Sequence, residues 1–369
     1  MSKRVVVTGM AGFTSLGDNW DSISQAFKKG QTGIRRMEAW QEYKDLNTLL
    51  GGPILDFEMP GHFTRKQTRS MGRVAMMSVA ATERALTQAG LLNDPEIQNG
   101  SMGVSYGSSS GSTSAIKDFG VALTSKTGDS LNANSYLRMM SHTAAVNIGV
   151  YFGLKGRVIP TSSACTSGSQ GIGYAYEAIK YGLQTMMVAG GGEELCPTQA
   201  MVFDTLYATS TKNDSPEKTP RPFDANRDGL VIGEGACTFI LEELEHAQAR
   251  GAKIYAEVVG FACNSDGTHI TKPESVTMEM AMRLSLNNAN LQADQIGYVN
   301  AHGTSTDQGD IAESNATHRV FGEQMPFSSL KGYFGHTLGA CGAIESWLSI
   351  EMMNSGWFAG NVNLDEVDP

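Results

Sequence analysis

Apolar positions along the chain fall into two rhythms. Val5, Val6 and Val7 form a β-branched run that predicts a buried strand over residues 4–8, ending at Gly9. Over residues 73–89 the apolar spacing changes: Val74, Met77, Ala81 and Ala85 recur near the 3.6-residue period of a helix, which Gly90 stops. Further strands are predicted at 102–106, 157–160 and 185–189, the last ending in Gly190-Gly191-Gly192. Ile172, Ala175, Ala178 and Ile179 mark a helix face, and 242–250 reads as a charged helix stopped by Gly251. The pattern then restarts, with a long strand at 253–263, a helix at 274–288, a strand at 296–301, an extended segment at 327–335 and a helix at 339–354. Alternation of strands and helices predicts an α/β fold with a mainly parallel or mixed sheet. The restart divides the chain into two halves, 1–252 and 253–369, although no sequence repeat proves them similar.

Composition narrows the possible partners. With 28 Lys+Arg against 38 Asp+Glu, the formal charge over 369 residues is −10, the wrong sign for a general nucleic-acid coat. An acidic partner must therefore meet a local basic patch. Arg65, Lys66, Arg69 and Arg73 form one such cluster; a solvated helix start is the equal alternative. No apolar run approaches 18 residues, and the N-terminal stretch lacks the pattern of a secretory signal. Five cysteines without a CxxC pair argue against a disulfide framework and a structural zinc site, so the cytoplasm is the expected compartment.

Three residues carry candidate chemistry. Cys165 lies in Thr161-Ser162-Ser163-Ala164-Cys165-Thr166-Ser167-Gly168, just before a predicted helix. A thiol at a helix N-terminus is expected to have a lowered pKa and nucleophilic character, the alternative being a small buried cysteine. His302 stands where a strand runs into Gly303-Thr304-Ser305-Thr306, and His336 precedes the last helix. Strand ends of this kind gather ligands in α/β sheets, and two imidazoles there can bind a carbonyl oxygen or move protons. A metal reading would draw on Asp307, Asp310 and Glu345, but no HxxxH or HxH motif supports it. A thiol with two histidines and no obvious Asp tied to either suits acyl transfer followed by carbanion chemistry.

Four motifs occur in one order: 161–168 with its cysteine; Pro222-Phe223-Asp224 followed by Arg227-Asp228-Gly229 and Gly233-Glu234-Gly235-Ala236; 302–306; and 331–345. This set resembles the elongating β-ketoacyl-[acyl carrier protein] synthases of type II fatty acid and polyketide synthesis, from Arg4 to the end. The resemblance implies a thiolase-like layered αβαβα architecture from two similar halves, and a dimer. By the same resemblance Cys165 matches the acylated cysteine, and His302 and His336 the pair that promotes decarboxylation of malonyl-carrier. Lys331 and Glu345 match a supporting lysine and glutamate; spacing alone also allows a solvated salt bridge. Thr304 and Thr306 match threonines that hold the phosphopantetheine arm, Phe203 a residue beside the acyl site, and Arg65, Lys66 and Arg69 a carrier-docking cluster. No metal or organic cofactor is implied beyond the arm that the acyl carrier protein supplies.

The chain departs from the family pattern in places. Asp307-Gln308-Gly309-Asp310 follows Thr306 where Pro is common, and Met139-Met140-Ser141-His142-Thr143 replaces a more usual Met-Pro-Asn. Related synthases continue for a few dozen residues past this end, through final strands and a Gly-rich loop that completes the oxyanion hole; a chain without them is expected to be poorly stable and weakly active. The departures lean toward a specialised synthase similar to those of aryl-polyene pathways, as a homodimer or paired with a related chain lacking the cysteine. Three other readings compete: a serine hydrolase using Ser109 in Gly107-Ser108-Ser109-Ser110-Gly111, a dinucleotide enzyme using Gly9, Gly12 and Gly17, and a non-catalytic chain-length partner.

Overall fold

The computed structural model describes residues 2–268 and 272–369. Its centre is a six-stranded mixed sheet of β1 (Val5–Phe13), β2 (Met102–Gly107), β3 (Val158–Thr161), β4 (Met186–Glu193), β5 (Gly235–Glu243) and β6 (Ala256–Val258). The order across the sheet is β3-β2-β4-β5-β1-β6. β2 runs parallel to both β3 and β4, and the remaining pairings are antiparallel.

Strand alternation gives the sheet two apolar faces. Met186, Val188 and Ile240 point to one core, while Met187, Ala189, Phe239 and Leu241 point to the other. Helices α1 (Arg73–Ala89) and α2 (Thr143–Phe152) cover the first face. Helices α3 (Ser167–Lys180) and α7 (Cys341–Asn354) cover the second. Beyond them lie two parallel strands, β7 (Val299–Asn300) and β8 (Phe327–Ser328). Between β4 and β5 comes α4 (Pro197–Asp204). Two later helices, α5 (Ser275–Ala289) and α6 (Asp307–Phe321), pack on each other and are joined by Arg319 to Glu279 at 2.6 Å.

Several expected boundaries move, for physical reasons. β1 does not end at Gly9; it runs on to Phe13 with a register shift between Val7 and Gly9. Gly9 serves close packing, because a Cβ there would lie 2.2 Å from the Ala85 carbonyl of α1. β4 likewise continues through its three glycines to Glu193. Gly190 has φ +151°, and a Cβ there would sit 2.0 Å from the Cys237 carbonyl on β5. These glycines let neighbouring backbones approach; they do not mark turns.

The expected helix at 242–250 is only Leu244–Ala249. Glu242 lies one residue before the end of β5, where its buried carboxylate accepts from Arg250 Nε at 2.9 Å and contacts His246 Nδ1 at 2.8 Å. The long strand expected at 253–263 is three residues of β6, and it joins the first sheet through β1. The 296–301 strand shortens to β7. The extended 327–335 segment is β8 followed by a helical turn, Lys331–Phe334.

Candidate functional site

β3 leads into a tight elbow that presents Cys165 ahead of α3. Ala164 adopts φ 51°, a left-handed conformation uncommon for alanine. The surrounding hydroxyls hold that turn by satisfying its backbone. Thr161 Oγ1 donates to the Ser167 carbonyl at 2.8 Å, Ser167 Oγ to the Ala164 carbonyl at 2.7 Å, and Thr166 Oγ1 to the Ser163 carbonyl at 2.8 Å. The run of Ser and Thr around the cysteine is thus the means of holding a strained bend.

His336 reaches the elbow from the loop before α7. Its backbone N–H donates to Val231 O at 2.7 Å, its carbonyl accepts from Gly233 N–H at 2.9 Å, and its Nε2 lies 3.0 Å from Cys165 Sγ. His302 follows β7. The Glu313 carboxylate clamps its loop by accepting from the N–H groups of His302 (2.6 Å) and Gly303 (2.7 Å). The two imidazoles meet edge to face, with centroids 5.1 Å apart. Cys165, His302 and His336 place one reactive atom each within 4.8 Å of one another. These same atoms could take a soft metal ion, but the buried Lys331 cation beside them opposes it.

Lys331 is 1% exposed, and its Nζ lies 2.5 Å from Glu345 Oε1. Burial works against the ammonium, but Glu345, together with Cys341 and Glu313, outweighs it and holds Lys331 protonated. That charge acts on its neighbours. Burial, and then Lys331, push both imidazoles well below the ordinary histidine range, so both are neutral at pH 7. His302 opens onto the cavity, yet enough protein surrounds it for desolvation to dominate.

The thiol reverses an expectation. A lowered pKa was expected from the helix terminus; instead burial raises the Cys165 thiol, Lys331 pulls it down, and Glu193 and Glu345 push it up. Desolvation of the thiolate outweighs the pull of Lys331 and of the local backbone N–H. With the thiol raised and the imidazole lowered, the proton rests on sulfur and His336 Nε2 accepts it. Among the described residues no group holds His336 Nδ1, so none of them locks the ring's tautomer.

A cavity of about 590 Å³ opens on Cys165, His302 and His336. Phe203, Thr304 and Thr306 also line it, and the two threonine hydroxyls are 2.9 Å apart. Asp307 is exposed at the cavity's rim, 3.5 Å from Arg227 Nε. His142 occupies the N-cap position of α2 without a side-chain cap hydrogen bond and is not among the residues lining the cavity. Arg73 leaves the proposed basic cluster, turning inward to Glu234 at 2.8 Å. Arg65 and Lys66 remain exposed on the short helix Arg65–Thr68, with Arg69 as its cap.

Glu193 and Glu313 escaped sequence reading. Glu193 is fully buried and accepts from Ser109 N–H (2.7 Å), Gly339 N–H (3.1 Å), Ser108 Oγ (3.1 Å) and Ser110 Oγ (3.2 Å). It ties the loop after β2 to the loop that carries His336. Cys341 was counted only as a cysteine; its Sγ donates to the Cys165 carbonyl at 3.2 Å.

Two competing readings lose their geometry. Ser109 Oγ has no partner among the described residues, and His336 Nε2 faces Cys165. Asp310 accepts from the N–H groups of Phe223 and Ser305, so it orients no histidine. Gly9 and Gly12 lie inside β1, leaving no phosphate-binding turn there.

Comparison with known proteins identifies the family. Residues 2–247 match the family model "Beta-ketoacyl synthase, N-terminal domain", and 255–365 match "Beta-ketoacyl synthase, C-terminal domain". The chain is 38% identical over 378 residues to 3-oxoacyl-[acyl-carrier-protein] synthase 2 of Vibrio harveyi, covering 99% of this chain and 90% of the relative. It is 35% identical over 370 residues to synthase 1 of Escherichia coli K12, with the same coverage. The crystal structure of a β-ketoacyl synthase from Burkholderia phymatum superposes with a TM-score of 0.98 at 59% identity, covering 100% of this chain and 90% of that one. A type II polyketide ketosynthase in complex with its acyl-carrier protein, bound to the hexaketide, superposes at 0.88 with 29% identity, covering 100% and 91%.

Proposed function

The chain belongs to the β-ketoacyl synthase family and has its thiolase-like layered fold; on that premise we propose that it condenses an acyl thioester, carried on Cys165, with malonyl-acyl carrier protein to give 3-oxoacyl-acyl carrier protein. The observation that carries this reading is the 3.0 Å approach of His336 to Cys165, with His302 beside both.

The arm of the carrier enters along Thr304 and Thr306. Cys165 sulfur attacks the acyl carbonyl at the positive end of α3, and the carrier thiol leaves with the proton. Malonyl-carrier then occupies the vacated space. Its thioester oxygen lies against the two neutral imidazoles, which donate N–H to the charge that develops as the C–C bond to the carboxylate breaks. Carbon dioxide departs, and the resulting carbanion attacks the acyl-Cys165 carbonyl and expels the sulfur. Acylation removes the thiol proton, so His336 Nε2 changes from acceptor to donor; the unheld Nδ1 allows that change. Phe203 packs beside the acyl chain, and Lys331 with Glu345 sets the charge around the histidines. Apart from the arm, this route uses no cofactor. Incubation with acyl-carrier is expected to add one acyl mass to Cys165, and malonyl-carrier then to release 3-oxoacyl-carrier. A chain unmodified at Cys165 while a partner condenses would instead mark a chain-length subunit.

The docking partner is an acidic carrier protein. Arg65, Lys66 and Arg69 offer a positive target on a chain of net charge −10. Reversing all three to Glu is expected to raise KM for carrier-linked substrate about tenfold, with little change in kcat and less salt dependence. An unchanged KM across ionic strengths rejects this face. The dimer, homomeric or with a related chain, forms through β3, which pairs on one side only and leaves Val158 half exposed. Among the described residues no helix is long and apolar enough to cross a membrane. All five cysteines are unpaired, in keeping with a reducing cytoplasm.

A further inference from the structure

We infer that the inner end of the acyl site is polar, and that Gln199 and Ser109 receive a hydroxyl at the far end of the acyl chain; this rests on the acyl-transfer role of Cys165. On this proposal the path inward follows α4 from Phe203, past the end of the cavity's lining. Tyr207, just past that helix, is 93% exposed and Leu206 is 49% exposed, while Ala200 is fully buried. Phe203 lines the cavity. Gln199 lies one turn deeper on the same face, at the i, i+4 spacing.

The direction of the hydrogen bonds around Gln199 is set. The two N–H groups on Glu193 Oε2 leave Oε1 to the hydroxyls of Ser108 and Ser110. Ser110 has spent its proton on Glu193, so its oxygen accepts from Gln199 Nε2 at 2.9 Å. Gln199 Oε1 is therefore a free acceptor, buried and unpartnered, and Ser109 Oγ is equally alone. Of the eleven buried unpartnered side-chain atoms among the described residues, four belong to this neighbourhood: those of Ser109, Gln199, His336 and Thr337. Native proteins rarely leave such groups unpaired without a ligand or water to meet them. The cluster also touches the reacting turn. A Cβ on Gly339 would lie 3.0 Å from Ser109 Oγ, and one on Gly168 would lie 2.9 Å from the Gly339 carbonyl. A plain alkyl tail would bury these atoms unsatisfied; a hydroxyl can donate to Gln199 Oε1 or bond with Ser109 Oγ.

The test uses two matched pairs of carrier-linked donors, hexanoyl against 6-hydroxyhexanoyl and cinnamoyl against 4-hydroxycinnamoyl. Both Cys165 acylation, by mass, and kcat/KM of condensation are read. The hydroxylated member of at least one pair is expected to be favoured about tenfold, and the favoured pair tells an aliphatic from an aryl substrate. Gln199→Leu is expected to bring that ratio to about one. Ser110→Ala, which releases the carboxamide, should lower it. Equal kcat/KM within both pairs for the unmodified chain overturns the subsite even if no variant folds, as does a preference that survives Gln199→Leu. Failure of all four donors to acylate Cys165 overturns the acyl-transfer reading itself, and the subsite with it.

Discussion

Alanine at His302 or His336 is expected to lower condensation by about 10²–10³, while acyl transfer to Cys165 survives the His302 change. The reasoning is geometric. Of the two imidazoles it is His336 that hydrogen-bonds the sulfur, at 3.0 Å, so its removal disturbs the thiol directly. His302→Ala should accumulate acyl-Cys165 that malonyl-carrier fails to discharge. His336→Ala should both slow acylation and block discharge. The measurement is the acyl-enzyme mass together with the 3-oxoacyl product. Normal product formation by either variant rejects the assignment of both imidazoles to the enolate.

The pH behaviour follows from the same environment. Burial and Lys331 depress both histidines, so both stay neutral as pH falls through 6.5. The rate should show no inflection at the ordinary histidine value; its acid limb should lie lower. Stability follows a different course. Below pH 6.5 the unfolded chain binds protons at these positions and the folded chain does not. The contribution of the neutral rings is therefore complete above 6.5 and declines from there down to their depressed folded values.

The reacting groups are legible in the sequence because each sits where an apolar run gives way to Gly, Ser and Thr. Cys165, His302 and His336 all show that signature. Helix α1 is legible to the residue, since its apolar positions keep one period and Gly90 closes it in a left-handed conformation. Glu193 is not. It follows three glycines inside a strand, and its donors come from Ser108, Ser109, Ser110 and Gly339 on two distant loops. Glu313 is hidden in the same way, because its partners are backbone N–H groups before α6. The thiol's raised pKa was also hidden, as desolvation is a property of the packed site and not of local spacing. β6 misled for another reason: apolar residues over 253–263 pack on the core without extending the ladder. Val258 lies against the main core within the strand, whereas Phe261 meets Tyr174 edge to face beyond it.

Lys331→Met should destabilise the chain by about 3–5 kcal/mol, because it leaves Glu345 buried without its counter-charge. The double change Lys331→Met/Glu345→Leu should recover most of that loss, since paired buried charges replaced by apolar groups cost little. Activity should not recover with it. Without the ammonium, both rings lose the largest cause after burial that depresses them, and their pKa values rise toward 6.5. The refolded double variant should therefore condense slowly, and its rate should fall on the acid side at a higher pH than that of the unmodified chain. Thermal midpoint and pH–rate profile together separate the two roles. A double variant with restored stability and an unmoved acid limb makes the pair a packing device. A limb that moves makes Lys331 the charge that keeps two imidazoles neutral beside an enolate.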